Sequence, residues 1–172
     1  DLSGESGEFV EEGRVVQWSS RGGLGIAVRR HQASGGPRVL RDHEIEATVL
    51  RFDGPAASLI STEVEGADLV GEDEGALFLV VRTVSPRHTG SPFFFESSGG
   101  HRLNVHLPWK DGVIYADFGK VEAHGRMSVA PPPGFLDRWH LVSVIRRATG
   151  TMELHIDGHL LAEAELAATM TP

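Results

Sequence analysis

The sequence predicts an all-β protein built as an antiparallel β-sandwich. Short runs of β-branched and aromatic residues recur at a spacing of roughly 8–12 residues, which is typical of sandwiches and barrels. Turn-forming residues separate these runs, and the 172 residues include 21 Gly and 9 Pro scattered along the chain. No run alternates with a long helical pattern, so a parallel α/β fold is disfavoured.

Before residue 75 the chain is predicted to hold short strands between long loops. Residues 1–13 are acidic, contain several Gly and Ser, and are expected to form a flexible leading segment. Loops are expected at 19–38 and, because the stretch is acidic, at 63–75. The strand candidates are Gly25–Arg29, Ile45–Asp53 and Ser58–Thr62, the second of which closes on the turn signal Asp53-Gly54-Pro55.

The strand signals are stronger after residue 75. Leu77–Val84, "LFLVVRTV", is rich in β-branched and aromatic residues and starts apolar on both faces, as a central strand can. Further strands are predicted at Phe93–Glu96, Leu103–Leu107, Val113–Phe118, Trp139–Arg147 and Met152–Ile156, with a return at Leu160-Leu161. Tight bends at Gly112, Gly150 and Gly158 are expected to fix which residues face inward. The tail "AEAELAATM" is expected to be a short helix or a frayed strand.

Composition restricts the classes of partner. The net charge of −8 disfavours binding to nucleic acid or to an anionic membrane surface, whereas neutral sugars and ligands held through Ca²⁺ are compatible with it. The chain has no Cys, which excludes disulfides, thiolate catalysis and Cys-based zinc sites. No apolar run approaches the roughly 20 residues of a membrane span.

Two segments resemble a known family. Trp139–Leu161, "WHLVSVIRRATGTMELHIDGHLL", has a Trp-His pair opening a strand, a Gly-containing turn, and an Asp-Gly turn before the return strand. This pattern resembles laminin G-like domains of the concanavalin A-like jelly-roll class, and "LRFDG" at Leu50–Gly54 resembles their opening strand. Arg102–Gly119, "RLNVHLPWKDGVIYADFG", resembles a bacterial, planctomycete-like subgroup found in large modular extracytoplasmic proteins.

The resemblance implies a single sandwich domain over residues 1–172 and an extracellular or cell-surface location. Domains of this family usually continue with further strands beyond the Asp-Gly hairpin, so C-terminal strands are expected to be missing. Either the apolar patch Val15–Trp18 supplies the missing strand or the chain is a fragment. Otherwise a sheet edge is open, and a partner strand or the rest of a longer parent chain would cover it.

The sequence lacks the catalytic signature of related hydrolases. Laminarinase-type enzymes of this fold use a Glu-x-Asp-x-x-Glu strand, and no such motif is present. The acidic groups at 63–65 and 72–74 lie in Gly-containing stretches and are interpreted as solvated loops. The sequence therefore predicts a non-catalytic protein.

A ligand-binding surface is predicted around Trp109, since carbohydrate modules stack sugar rings on aromatic side chains beside polar groups. The proposed ligand-binding residues are Asn104, His106, Trp109, Asp111 and Tyr115. For Trp109 the alternative is packing on the core of a turn, and for His106 it is a buried structural role.

Either no cofactor or Ca²⁺ is expected. Asp111 and Asp117 are the metal-ligand candidates, with turn formation as the alternative role of these Asp residues. His140 is expected to form hydrogen bonds within the fold, and His155 with His159 would bind a metal only if the hairpin folded them together.

Three functions follow as hypotheses, the last of which, an enzyme with an unrecognised site, is selected by no motif of the sequence. The first is a lectin-like recognition module that binds carbohydrate within a larger surface or secreted protein. The second is a structural or protein-interaction sandwich with no sugar site, completed by a partner strand or by its parent chain.

Overall fold

The computed structural model describes residues 9–19, 26–33, 35–54, 56–61, 71–86, 89–97 and 99–170. These residues form antiparallel sheets and no α-helix, which confirms the all-β prediction. Contacts group the chain into two compact units, Asp1–Val64 and Glu65–Pro172. This grouping describes each unit by itself, so the single domain over residues 1–172 stays a prediction.

The first unit is a six-stranded antiparallel sheet. Its strands are β1 (Phe9–Glu11), β2 (Arg14–Ser19), β3 (Ala27–Arg30), β4 (Arg38–Asp42), β5 (Ala47–Arg51) and β6 (Leu59–Ile60). The order is β5-β4-β2-β3-β6, and β1 pairs with β2. The patch Val15–Trp18, considered as a missing sandwich strand, lies in β2 of this sheet. Part of the expected flexible segment, residues 9–13, forms β1 and the turn after it; the rest of that segment lies outside the described residues.

The second unit holds two four-stranded sheets. Its strands are β7 (Gly75–Arg82), β8 (Phe93–Glu96), β9 (Arg102–His106), β10 (Ile114–Gly119), β11 (Arg126–Val129), β12 (Trp139–Arg146), β13 (Thr151–Ile156) and β14 (His159–Glu165). One sheet has the order β11-β10-β9-β8 and the other β14-β13-β12-β7. A short 3-10 turn, Val121–Ala123, joins β10 to β11.

One apolar core lies between these two sheets, so this unit is a β-sandwich. Alternate residues of each strand enter it, because successive side chains of a strand point to opposite faces. The first sheet contributes buried side chains such as Val105 and Phe118, and the second contributes Val142, Val144 and Leu154. The predicted inward residues of β12 and β13, which also include Met152 and Ile156, are all buried.

The predicted tight bends have the backbone conformation that favours Gly. Gly112, Gly150 and Gly158 have φ values of +85°, +106° and +78°. At the β13–β14 hairpin Asp157 also has a positive φ, +54°, as the two-residue turn of a hairpin requires.

Strand β4 begins in a stretch predicted as a loop, and β11 was not predicted. Of the two alternatives for the tail, a short helix or a frayed strand, the structure has a strand as far as Glu165. Beyond it, Leu166 and Ala168 are buried, and their carbonyl groups accept hydrogen bonds from the buried Arg146 guanidinium.

Candidate ligand-binding site

Four strands align polar and aromatic side chains on the outward face of the β8–β11 sheet. Directly paired residues of neighbouring strands share a face, with Cβ atoms about 5 Å apart. One row of paired residues runs through Phe94, Asn104, Asp117 and Arg126. The next row pairs His106 with Tyr115. The register of the sheet thus places these six side chains together.

A buried ion pair lies at the centre of this face. Asp117 is 0% exposed, and both of its carboxylate oxygens accept hydrogen bonds from Arg126, at 2.6 Å from Nε and 2.7 Å from Nη2. Bidentate pairing of this kind is strong and directional. The contact raises the pKa of Arg126 above its usual value, and the guanidinium also lies 4.8 Å from the Tyr115 ring centroid. The negative charge of Asp117 is therefore offset by Arg126 within the fold.

Asn104 connects the carboxylate to the imidazole of His106. Its Nδ2 donates to Oδ2 of Asp117 at 3.2 Å and to Nε2 of His106 at 2.9 Å. The opposite amide orientation would turn the Asn104 oxygen toward the carboxylate, so the network itself favours this one.

The hydrogen bonds of His106 fit one neutral tautomer of the ring. Because Nε2 accepts a hydrogen bond from Asn104, the ring proton is on Nδ1, which donates to Oγ of Ser91 at 2.9 Å. Burial lowers the pKa of His106 below its usual value; the charge of Asp117 opposes this and that of Arg126 reinforces it.

Trp109 and Tyr115 enclose the His106 ring. The Trp109 ring centroid lies 4.1 Å from that of His106, and Tyr115 meets it edge-on at 6.3 Å. The Tyr115 hydroxyl donates to Oδ2 of Asp111 at 2.7 Å, which lowers the pKa of Asp111 and raises that of Tyr115. Trp109 keeps part of its surface in solvent, so it is neither a core residue nor fully exposed.

A cavity of about 350 Å³ opens on this face. It is lined by Thr89, Ser91, Phe94, Arg102, Asn104, His106, Trp109 and Arg126. Phe94 is 54% exposed, whereas its neighbours Phe93 and Phe95 pack against the core. Phe94 therefore points to the outward face of this sheet, unlike Phe93 and Phe95.

Two polar atoms of the lining residues have no hydrogen-bond partner within the described part of the chain. They are Oδ1 of Asn104, a residue that is 1% exposed, and Nε of Arg102. An unpaired buried polar atom costs about 1–3 kcal/mol. Such atoms in residues that line a cavity make it a candidate binding site.

The structure brings the predicted ligand-binding residues together. Asn104, His106 and Trp109 line the cavity, while Tyr115 packs against the lining residue His106 and hydrogen-bonds to Asp111. Sequence reasoning missed the remaining lining residues, Thr89, Ser91, Phe94, Arg102 and Arg126. The alternation of polar residues in β9 was a signal for Arg102, which precedes Asn104 and His106 at intervals of two.

The predicted calcium ligands are engaged by other groups. Asp117 is paired with Arg126, and Asp111 accepts hydrogen bonds from Tyr115 and from the Val113 amide. No three His, Asp or Glu side chains of the described ranges come together as metal ligands. Calcium binding at these two residues stays a prediction.

The His residues of β12 and β13 form bonds within the fold. Nδ1 of His140 lies 2.7 Å from Oδ2 of Asp157, and its Nε2 lies 3.1 Å from the Phe135 carbonyl oxygen, which confirms the expected role of His140. His155 bonds to Glu153 at 2.9 Å.

In comparisons with known proteins, the chain matches no family model, no curated protein and no solved structure. Within the ranges that the structure describes, no helix has the length and apolarity needed to cross a bilayer.

Proposed function

We propose that residues 65–172 form a lectin-like recognition module that binds carbohydrate, without catalysis, in the cavity beside Trp109. The observation that carries this proposal is the partly exposed Trp109 ring, which lines the cavity together with the buried Asn104, whose Oδ1 lacks a partner among the described residues. An aromatic face next to fixed polar groups matches a sugar, which presents an apolar ring face and hydroxyl groups at its edge.

The rigidity of the polar groups supports recognition. Asn104, His106, Asp117 and Arg126 hold one another in place by hydrogen bonds. A preorganised site loses little conformational entropy when a ligand binds.

The state of the carboxylates argues against glycoside hydrolysis. That reaction uses two carboxyl groups across the scissile bond, one of them an acid with a raised pKa. Asp117 is bound to Arg126, and the pKa of Asp111 is lowered rather than raised. Neither is arranged as the acid.

The resemblance of Trp139–Leu161 and Arg102–Gly119 to laminin G-like jelly-roll domains supports the same proposal. Such domains occur in modular surface proteins, so we place this module in an extracellular or cell-surface protein.

A glycan array, followed by calorimetry with and without Ca²⁺, tests the proposal. We expect binding to a restricted set of sugars, and the comparison with chelator decides whether Ca²⁺ takes part. Silence of the array across neutral and acidic glycans would contradict it.

A second function is favoured by one observation on the other sheet. Strand β7 ends the order of the described strands of that sheet, and its outward residues Phe78 and Val80 are 61% and 64% exposed. A partner strand added to β7 would pair the edge, and a partner that also packs on the outward face would cover these side chains. Light scattering on the purified chain, alone and mixed with segments of a longer parent chain, tests this alternative. A chain that stays monomeric at all concentrations and in both conditions would contradict it.

A further inference from the structure

The lining of the cavity carries two guanidinium groups, those of Arg102 and Arg126. Among the eight lining residues that the structure describes, none is Asp or Glu. The two Arg residues differ in their partners. Arg126 donates two hydrogen bonds to Asp117, which offsets its charge.

Arg102 has a weaker partner. Nε of Arg102 lies 3.6 Å from the nearest oxygen of Glu96, which is too long for a hydrogen bond, and that Nε has no hydrogen-bond partner among the described residues. Both side chains keep solvent contact, at 27% for Arg102 and 40% for Glu96. Although Nε itself is buried, the contact is long and both side chains are partly solvated. A pair of this kind contributes little, so an anion better placed against the guanidinium displaces Glu96 at small cost.

We propose that the ligand carries a carboxylate group, as uronic acids do, and that Arg102 binds this carboxylate while Oδ1 of Asn104 accepts a hydrogen bond from a ligand hydroxyl. This inference rests on the proposed carbohydrate function and deepens it by naming the class of sugar.

The chemistry of the two groups fits one ligand. The planar guanidinium fork matches the two oxygens of a carboxylate, and hydrogen bonds between charged groups are roughly twice as strong as neutral ones. Asn104 offers an acceptor only at Oδ1, because both observed contacts of its amide use Nδ2. A sugar acid supplies both a carboxylate and hydroxyl donors on one ring.

The net charge of the whole protein further restricts the class of acidic sugar that we expect to bind. The net charge of −8 repels polyanions at long range, whereas one carboxylate per ring placed against Arg102 meets a local positive group. The site therefore suits sugars with isolated carboxylates better than densely sulfated chains.

Calorimetry on the full chain tests the inference with three kinds of probe. The first kind is glucuronate and galacturonate, the second is the methyl ester of each, and the third is gluconate, an acyclic hydroxy acid. We expect each sugar acid to bind about tenfold more tightly than its own ester, because the ester keeps the ring but loses the charge.

Variants assign that preference to Arg102. Arg102→Gln is expected to remove the difference between acid and ester, and Arg102→Lys to retain part of it. The matched control is Arg147→Gln, which removes an Arg bound to Glu153 outside the cavity and should leave the preference unchanged. Circular dichroism verifies that each variant is folded.

The outcomes separate the two proposals. Equal affinity for acid and ester in the unaltered chain overturns the carboxylate assignment and leaves carbohydrate binding intact. Binding of gluconate with no response to any ring sugar overturns the carbohydrate proposal and keeps the carboxylate assignment. No response to any of the probes, together with a silent glycan array, overturns both.

Discussion

The sandwich in residues 65–172 has two outward faces, and neither is the polar, exposed surface expected of a sheet face in contact with solvent. On the β8–β11 sheet the outward residues Asn104 and Asp117 are polar yet almost fully buried. On the other sheet the outward residues Phe78, Val80 and Leu141 are apolar yet 42–64% exposed, and Leu141 is paired directly with Val80.

On both faces, the outward residues are better explained by binding than by the stability of the fold. Burying polar groups is costly unless each is hydrogen-bonded, and the Asn104–Asp117 network meets that condition except at Oδ1. Exposed apolar side chains that are neighbours on a sheet mark interaction surfaces. This contrast is the reason why we propose a small ligand for the first face and a macromolecular partner for the second.

The largest effect on stability is expected when a charge is removed from the polar face. Arg126→Met leaves the buried carboxylate of Asp117 unpaired, so the free energy of unfolding should fall by about 3 kcal/mol. This is the lower part of the range for such pairs, because Arg126 itself is 32% exposed. Urea unfolding followed by circular dichroism measures the change.

A double variant and a matched control sharpen this result. Asp117→Asn combined with Arg126→Met removes both charges and should regain part of the lost stability. Arg147→Met breaks an exposed pair with Glu153 and should change the midpoint little. Equal midpoints for Arg126→Met and the unaltered chain would show that the ion pair contributes nothing.

The second effect concerns the ligand. Trp109→Ala removes the aromatic face beside the network and should weaken ligand affinity at least tenfold, the usual result for an aromatic anchor in a pocket. Calorimetry with the best sugar from the array measures it. Trp18→Ala, at a partly exposed Trp of the first unit, is the control that should bind normally.

The fold and the site differed in how far the sequence revealed them. Strands β12 and β13 were predicted because Val142, Val144 and Leu154 alternate with polar residues between Gly turns. Strand β11 was missed because it is four residues long and alternates weakly. The cluster of Asn104, His106 and Trp109 is close in sequence and was predicted.

Arg126 was not predicted as part of the site, although it is only nine residues from Asp117. Its place depends on the register between β10 and β11, which pairs it directly with Asp117. Register across a connection containing a 3-10 turn is set by packing in three dimensions rather than by a local motif.

A smaller effect is expected from pH at the β13–β14 hairpin, which lies outside both faces. The hydrogen bond from His140 is the main cause that lowers the pKa of Asp157 below 3.8, assisted by the Leu141 amide. The folded pKa is thus below the unfolded one, so the stabilisation is complete above the unfolded value and is lost as pH falls through the folded pKa.

Asp157→Asn tests this hairpin, since Asn tolerates the positive φ of that position. Near neutral pH the variant should be less stable by under about 1 kcal/mol. The gap should close as the pH is lowered below 3.8, as followed by thermal unfolding. A gap that widens in acid would contradict the assignment.

The smallest effect on stability is expected at the apolar face. Phe78→Ser changes an exposed side chain, so the free energy of unfolding should stay within about 0.5 kcal/mol. Any association detected by light scattering should, by contrast, weaken. Association that persists in this variant would move the partner surface elsewhere.

Nuclear magnetic resonance with a bound sugar tests whether the sugar lies against Asn104 and Trp109, because the side-chain amide of Asn104 and the indole N–H of Trp109 each report on their own surroundings. On addition of the sugar that binds best, we predict that both signals move together while the amides around Phe78 and Val80 stay in place. A sugar that binds while the Asn104 and Trp109 signals stay fixed would contradict the account.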